Sequence, residues 1–206
     1  LIVPLIYQYG KEFGVTKQTL GLLTASFSIA QFFATPLLGA LSDKFGRKPI
    51  LFISLAGTFV SFILFAEARS MLMLFASRIL DGLTGGNISV AQAMVSDSST
   101  AENRSKNFGI LGSAFAFGFI IGPAIGGLLS KFGLQVPFYF AAGVSLLGVL
   151  CSIFFLQETN GEGKKNAPSP RYVEIFESLV TIMTKPIVGT AIFTGFLLTM
   201  AQFTMV

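Results

Sequence analysis

The sequence contains no histidine, a single cysteine and few charged residues, and each of these shortages excludes a class of protein. Without histidine or a second cysteine, the chain has no imidazole base, no internal disulfide and no Cys/His metal site. Cys151 stands alone in an apolar run, and we expect it to be core filler rather than a nucleophile. Only 12% of the 206 residues are charged, whereas soluble domains carry about 25%. An enzyme, a metal centre and an ordinary soluble domain are therefore all disfavoured.

The residues that are abundant belong to membrane proteins. The chain is 52% hydrophobic, contains 22 Gly and 23 Phe, and has a mean hydropathy of +0.74. Glycine is more frequent in membrane helices than in soluble ones, because small residues let helix backbones approach closely in lipid. The formal net charge of +4 arises from basic residues at loop positions, so we expect no nucleic-acid partner.

The apolar segments predict an all-α membrane protein. A bilayer-spanning helix needs about 20 apolar residues, and this rule gives seven spans, the first of which is only a stub: 1–6, 18–41, 49–66, 70–95, 108–129, 137–156 and 186–206. Because the chain lacks an initiating Met and opens within an apolar run, we expect a fragment with a truncated first helix. A polar stretch at 157–171 predicts an exposed linker, and 172–184 is an amphipathic segment suited to the membrane interface.

A charged turn, GALSDKFGRKP at 39–49, lies between two spans without charge. Such a short charged cluster predicts a tight turn at a membrane face. When this turn is placed in the cytoplasm, nine basic residues lie on that side and four on the other. This distribution follows the positive-inside tendency and predicts the orientation of the chain.

An internal repeat supports the same topology. GALSDKFG at 39–46 recurs as GGLLSKFG at 126–133, three spans later, and Ser130 replaces Asp43 in the second copy. An odd number of spans inverts the second copy in the membrane, as in the inverted repeats of secondary transporters. The alternative is chance similarity within a sequence rich in Gly, Leu and Phe.

The charged turn resembles the signature turn of the major facilitator superfamily, Gly-x-Leu-x-Asp-x-x-Gly-Arg-Lys. The resemblance implies that the turn helps to latch the two six-helix halves of a transporter at their cytoplasmic ends. The residues that match the signature are Gly39, Asp43, Gly46, Arg47 and Lys48. The alternative is that the basic residues only anchor the turn to anionic lipid.

Arg78 and Asp81 are charges within the fourth predicted span. Intramembrane charges cost several kcal/mol unless they are paired or hydrated, so they indicate function, and a spacing of three places both on one helical face. Arg78, Gly82 and Gly86 resemble the superfamily motif Arg-x-x-x-Gly-x-x-x-Gly, which implies that Arg78 couples protons or organises the central cavity. Asp81 departs from that motif. It is either a titrating carboxylate or the static partner of Arg78.

A third motif occupies the fifth span and consists of Gly118, Gly122, Pro123, Gly126 and Gly127. Glycines spaced by four form a packing groove along one face, and Pro123 is expected to bend the helix. The motif resembles one typical of drug/proton antiporters in the superfamily. The alternative is a packing groove with no relation to antiport.

Three further polar residues within spans line a water-filled cavity or form interhelical hydrogen bonds; they are Gln31, Asn87 and Gln92. Three charged residues before the fifth span are expected to form a solvated network; they are Asp97, Glu102 and Arg104.

The resemblance is strongest to the tetracycline/proton antiporter-like branch and covers about residues 15–158. Ser61 departs from it, because drug-specific members carry an acid at this place in the third helix. The expected fold is the N-terminal six-helix half of a major facilitator bundle, a 3+3 inverted repeat at 1–157. A cytoplasmic linker at 158–185 follows, and the seventh helix starts at 186–206.

These features predict a multi-pass transporter of the cell membrane that moves small molecules by alternating access, through proton-coupled drug or metabolite efflux. The expected partners are a small-molecule substrate, the lipid bilayer and the missing C-terminal half of the same chain. No cofactor or metal is expected, and a proton gradient supplies the energy. The alternatives are a facilitator or uniporter and a non-transporting membrane receptor of the same fold.

Overall fold

The computed structural model describes residues 16–160 and, beyond them, the positions 177, 181, 184, 185, 188–190, 193–195 and 197. The predicted stub at 1–6 and most of 172–206 lie outside the described residues. The chain divides into two compact units, Leu1–Ala167 and Pro168–Val206, and the helices below belong to the first.

The described part of the first unit is helical and contains no strand, as predicted for an all-α protein. A short 3-10 turn, Ser130–Phe132, follows the fifth helix. The helices are α1 (Lys17–Phe45), α2 (Arg47–Ala66), α3 (Met71–Thr84), α4 (Asn87–Asp97), α5 (Arg104–Leu129) and α6 (Val136–Phe154). Helices α1, α2, α5 and α6 correspond to predicted spans two, three, five and six, and differ from them by a few residues at their ends.

Local sequence signals explain where the helices begin. Thr16 and Ser70 precede α1 and α3, and each side-chain oxygen accepts a hydrogen bond from the backbone three residues later, at 3.3 Å. These are N-cap interactions that satisfy a free N–H group of the first turn. Pro49 lies in the first turn of α2, where a missing N–H costs nothing.

The fourth predicted span is broken into α3 and α4 at Gly85 and Gly86. The helix continues through the charged residues at 78 and 81. The weak point is the pair of consecutive glycines, because glycine disfavours the helical state by about 1 kcal/mol. The amide of Gln31 donates to the Gly85 carbonyl at 3.1 Å and satisfies an acceptor at the break.

Four of the described helical segments are long and apolar enough to cross a membrane: Gln18–Phe45, Arg47–Ala66, Arg104–Phe132 and Val136–Phe154. Helices α1 and α2 meet at Gly46, and the ends of α4 and α6 contact the same turn. We call this the Gly46 end. Tyr139 near the start of α6 donates to Glu67 just after α2, which marks the opposite end.

Helix α2 holds the unit together, because it packs against α1, α3, α4 and α6. One apolar cluster lies towards the opposite end, where the rings of Phe65 and Phe138 are 4.5 Å apart. A second cluster lies near the Gly46 end and consists of Ile50, Leu51, Val90 and Met94. Burial of these side chains fixes α2 between its neighbours. Helix α2 also carries residues of the two charged sites described below.

Candidate functional site

Gly46 is the one residue between α1 and α2, and its backbone adopts φ +106° and ψ 152°. Residues with a Cβ atom rarely adopt this conformation. A Cβ atom at this position would also collide with the carboxylate of Glu158. The turn therefore requires glycine for both its backbone shape and its packing.

Arg47 is the centre of a charged cluster at this turn. Its guanidinium Nη2 lies 2.7 Å from Asp43 Oδ1, its Nε lies 3.0 Å from Asp97 Oδ2, and its Nη1 donates to Ser42 Oγ at 2.6 Å. The side chain of Arg47 is only 7% exposed. We call Ser42, Asp43, Arg47 and Asp97 the turn cluster; in it, two carboxylates share one buried cation.

The family resemblance assigned Asp43 and Arg47 to the latch, but not Asp97. We expected Asp97 to belong to a solvated network with Glu102 and Arg104. Instead, Asp97 pairs with Arg47, while Arg104 donates to Ser96 Oγ at 2.7 Å. The reason is topological, because α4 ends at Asp97 beside the first turn of α2. Because two predicted spans separate the turn from Asp97, the chain returns to the Gly46 end at that residue.

Glu158 and Asn160 are site residues that sequence reasoning missed, because they begin the predicted exposed linker. Glu158 Oε1 accepts from the backbone N–H groups of Arg47 and Asn160, both at 2.9 Å, and Oε2 accepts from that of Lys48 at 3.1 Å. Asn160 Nδ2 donates to the carbonyls of Asp43 at 2.6 Å and Ser42 at 3.4 Å. This part of the linker is thus bound to the turn, since free backbone groups at the two helix ends need partners.

The backbone donors also change the acidity of Glu158. Partial burial raises the pKa of this carboxyl group, but hydrogen bonds from the N–H groups of Asn160, Arg47, Lys48 and Thr159 together lower it below the ordinary value of 4.5. Hydrogen bonds of this kind favour the ionised form. Glu158 therefore carries its negative charge at neutral pH.

The two remaining signature residues differ in their contacts. Lys48 Nζ donates to the carbonyl of Ile153 in the last turn of α6 at 2.9 Å, so it joins α2 to α6. Among the described residues, no atom lies within 4 Å of a Cβ atom built on Gly39. Gly39 therefore makes no close contact with another helix in this part of the chain.

Arg78 and Asp81 form a second charged site, buried between α2 and α3. Arg78 Nη2 lies 3.3 Å from Asp81 Oδ2, and the two residues are 3% and 6% exposed. Ser61 Oγ lies 3.1 Å from Asp81 Oδ1 and 2.8 Å from the carbonyl of Thr58. The predicted pair is thus present, and Ser61 is in direct contact with its acid.

Aromatic rings surround the cation of this pair. The guanidinium of Arg78 lies 4.8 Å from the ring centre of Phe65 and 5.8 Å from that of Phe27, distances suited to cation–π attraction. In the part of the chain that the structure describes, Nε and Nη2 of Arg78 have no hydrogen-bond acceptor of suitable geometry. Its Nη2 nevertheless lies within ion-pair distance of Asp81, at 3.3 Å.

Gly82 and Gly86 lie where the backbone comes close to a neighbouring helix. A Cβ atom on Gly82 would lie 2.5 Å from the carbonyl oxygen of Phe27, and one on Gly86 would lie 2.5 Å from Leu38. Both contacts are with α1. Gln31, predicted for the cavity, uses its amide at the helix break beside them.

The other predicted polar and glycine positions show fewer contacts. Asn87 is half-buried and Gln92 is exposed, so their cavity role stays a prediction. Helix α5 continues through Pro123. Within the glycine motif of α5, Gly126 is buried. Cβ atoms built on Gly118 and Gly127 meet no described atom within 4 Å. The packing groove through Gly122 therefore stays a prediction.

A cavity of about 590 Å³ lies at the Gly46 end beside the Glu158 segment. It does not include the buried pair or the predicted cavity residues. Its lining residues come from α2, α4, α5 and the segment after α6: Leu51, Ala91, Met94, Val95, Ser98, Asn107, Phe155, Leu156, Gln157, Glu158 and Thr159. Among the described residues, no cluster of three His, Cys, Asp or Glu residues could hold a metal ion.

Comparisons with known proteins agree with this architecture. The family profile described as Major Facilitator Superfamily matches residues 1–206. The tetracycline resistance protein, class H, of Pasteurella multocida is 40% identical over 163 residues, which cover 77% of this chain and 40% of that protein. The quinolone resistance protein NorA of Staphylococcus aureus is 34% identical over 159 residues, which cover 77% of this chain and 41% of that protein.

A solved structure shares the fold. The crystal structure of the human organic anion transporter MFSD10 matches with a TM-score of 0.62 and 31% sequence identity, over 77% of this chain and 38% of that one. The chain thus spans about 40% of the length of the curated relatives named above.

Proposed function

The chain belongs to the major facilitator superfamily, and from that membership we propose that it forms the N-terminal half of a proton-coupled exporter of amphipathic small molecules. Proteins of this family are transporters, so the chain is not part of an enzyme. Residues 1–157 form the half-bundle, 158–185 the linker and 186–206 the start of the second half. The two halves rock around a site near the bilayer midplane.

The proposed location is the cell membrane, with the Gly46 end in the cytoplasm. Four apolar helices support membrane insertion. The excess of basic residues on the side of the turn supports the orientation. The turn cluster then lies where the other half closes against this one, which supports its role as a conformational latch.

The buried pair of Arg78 and Asp81 is the observation that carries the proposal. Both residues are almost fully buried between helices of a membrane protein, where charges are costly and mark ion or substrate pathways. A scaffold or receptor gains little from such a pair. A transporter coupled to protons needs a carboxylate that gains and loses a proton in a protected site.

The contacts of Ser61 favour a titrating acid over a static pair. A serine hydroxyl has one hydrogen, and the ionised Asp81 competes for it with the carbonyl of Thr58. A protonated Asp81 donates to Ser61 Oγ, and the serine hydrogen then serves Thr58 alone. Protonation therefore satisfies both contacts, and it releases Arg78 from its counter-ion. Among the described residues, Arg78 is the charged group in contact with Asp81.

The substrate class rests on the relatives. Their names specify resistance to tetracycline, resistance to quinolone and transport of organic anions. Tetracyclines and quinolones are amphipathic molecules with rings and ionisable groups. No cofactor is proposed, because a proton gradient supplies the energy.

The test is efflux of a fluorescent amphipathic dye from proteoliposomes that contain the full-length protein and carry an imposed pH gradient. We expect efflux to depend on the gradient, and Asp81→Asn to abolish that dependence while dye binding persists. Glu102→Gln, which neutralises an exposed acid, serves as the control. An unchanged pH profile in Asp81→Asn would remove Asp81 from coupling. Dye movement without gradient dependence would indicate a facilitator or uniporter, and binding without movement would indicate a receptor.

A further inference from the structure

We propose that Glu158 and Asn160 are positioning residues of the latch, and we call them the clip. The clip holds the backbone of the Gly46 turn so that the guanidinium of Arg47 stays between Asp43 and Asp97. The inference rests on the proposed function of the turn cluster as a latch. It goes beyond that function, because it assigns part of the latch to the segment that leaves the half-bundle.

The carboxylate of Glu158 completes the N-terminus of α2. Helix starts leave free N–H groups that side chains must satisfy, and Gly46 at the N-cap position has no side chain to do so. Glu158 accepts from the first two N–H groups of the helix, those of Arg47 and Lys48. A carboxylate is also favoured at this place by the helix dipole. An N-cap is thus supplied from 111 residues away.

The amide of Asn160 completes the other side of the turn. The carbonyls of Ser42 and Asp43 belong to the last turn of α1, where carbonyl groups lack helical partners. Asn160 donates to both and is only 6% exposed. Leaving a buried carbonyl without a donor is costly, so removal of this amide loosens the end of α1.

The clip and the turn cluster act on the same residues. Ser42, Asp43 and Arg47 contribute side chains to the cluster, and their backbone groups bind Glu158 or Asn160. The side-chain contacts need short distances between two helix ends. The clip fixes those ends on both sides of Gly46, and it lies directly against that glycine.

The connection gives the linker a role in the transport cycle. Residues 158–160 follow α6 directly, and the chain continues from them towards the predicted second half. The clip therefore joins the start of the linker to the turn through four hydrogen bonds.

The experiment uses the full-length protein without other cysteines, carrying Cys151→Ala and the reporter Ile50→Cys, which lies outside both the turn cluster and the clip. Ile50 lies near the start of α2 and is only 7% exposed, so the maleimide labelling rate of the reporter measures opening of the turn. A lost helix cap changes a local equilibrium by about fivefold, and we expect Glu158→Gln to raise labelling by about that factor. Glu102→Gln, a matched loss of charge outside the clip, should leave it unchanged. Equal labelling in the two variants would overturn the proposal.

Dye transport by the same variants separates positioning from general loss of structure. Because the clip does not touch substrate, we expect Glu158→Gln to lower the maximal rate and to leave the half-saturating dye concentration unchanged. In an Asp43→Asn background, where the latch is already broken, Glu158→Gln should add almost nothing. Full additivity would refute the positioning role.

A replacement variant and an assay independent of transport allow the proposal to be tested in every case. If Glu158→Gln does not reach the membrane, Asn160→Ser replaces it, because it removes the amide and leaves the carboxylate in place, and the same criteria apply. The labelling assay requires no transport. A protein without proton-dependent export but with faster labelling would thus overturn the proposed function and retain the clip.

Discussion

Replacement of Gly46 by alanine tests the geometry of the turn directly. With φ +106° and ψ 152°, an alanine would carry strain of about 1–3 kcal/mol. Its Cβ atom would also displace the carboxylate of Glu158, with the loss of a helix cap worth about 1 kcal/mol. Together these effects predict destabilisation of about 2–4 kcal/mol.

Two other glycines provide matched controls for this substitution. Gly133 adopts a similar backbone, φ +142° and ψ 144°, but a Cβ atom there meets only Val136 at 3.4 Å. Gly133→Ala therefore measures strain alone. Gly39 lies within α1, and a Cβ atom there meets no described atom within 4 Å. Gly39→Ala is expected to be neutral or to stabilise by up to about 1 kcal/mol.

The assay is thermal unfolding of the full-length protein in detergent, with each variant also combined with Glu158→Ala. The melting temperature should fall in the order Gly39→Ala, Gly133→Ala, Gly46→Ala. The difference between the last two should disappear in the Glu158→Ala background, because the side chain that a Cβ atom would displace is already absent. The assigned geometry of the turn is wrong if Gly46→Ala has the same melting temperature as Gly39→Ala. It is also wrong if the difference in melting temperature between Gly46→Ala and Gly133→Ala persists without the Glu158 carboxylate.

Two further predictions concern the charges at the Gly46 end. Asp97→Asn should slow proton-driven dye efflux as much as Asp43→Asn at matched expression, because Arg47 loses one of its two carboxylates in either variant. An unaffected rate of efflux in Asp97→Asn would exclude Asp97 from the latch. Because the pKa of Glu158 lies below 4.5 in the folded protein, its stabilising charge is fully present above that value and is lost as the pH falls through the lowered pKa. The gap in melting temperature between the unmodified protein and Glu158→Gln should therefore stay constant from neutral pH down to about pH 4.5 and close only below it; closure at higher pH would contradict the assigned hydrogen bonds.

The parts of the structure that the sequence predicts are those set by short-range periodicity. Apolar run length gave the approximate bounds of four long helices. The spacing of three residues predicted that Arg78 and Asp81 lie on one helical face, and the two side chains form an ion pair. The family signature grouped Asp43 with Arg47, and their contact is made across Gly46, where one helix ends and the next begins.

The contacts that the sequence did not predict depend on how separate helices are rotated and staggered. Asp97 reaches Arg47 over 50 residues of sequence, and Glu158 reaches it over 111. Neither distance follows from hydropathy, which cannot specify the rotation of one helix against another. Ser61 had been notable only as a departure from a family pattern. Its contact with Asp81 appears only once α2 and α3 are packed together.

The two copies of the repeat show why the clip belongs to only one of them. Both copies end in Lys-Phe-Gly, and both final glycines, Gly46 and Gly133, have positive φ. The helix before Gly46 stays α-helical to its last residue, and Asn160 takes up two of its terminal carbonyls. After α5, the corresponding turn tightens to a 3-10 form in which Gly133 donates to the carbonyl of Ser130 at 3.2 Å.

Tightening of this kind is the way in which a helix end without an external donor satisfies its own carbonyls. The repeat therefore preserves the backbone of the turn at both ends of the bundle, whereas α-helical geometry up to the turn depends on Asn160. Asp43 in the last turn of α1 and Arg47 at the start of α2 then meet across Gly46 in the 2.7 Å contact. The second copy has Ser130 and Leu134 at these positions, so it has no ion pair to align and can close on itself. The clip is thus needed where the charges are, which is the physical reason to treat Glu158 and Asn160 as part of the latch.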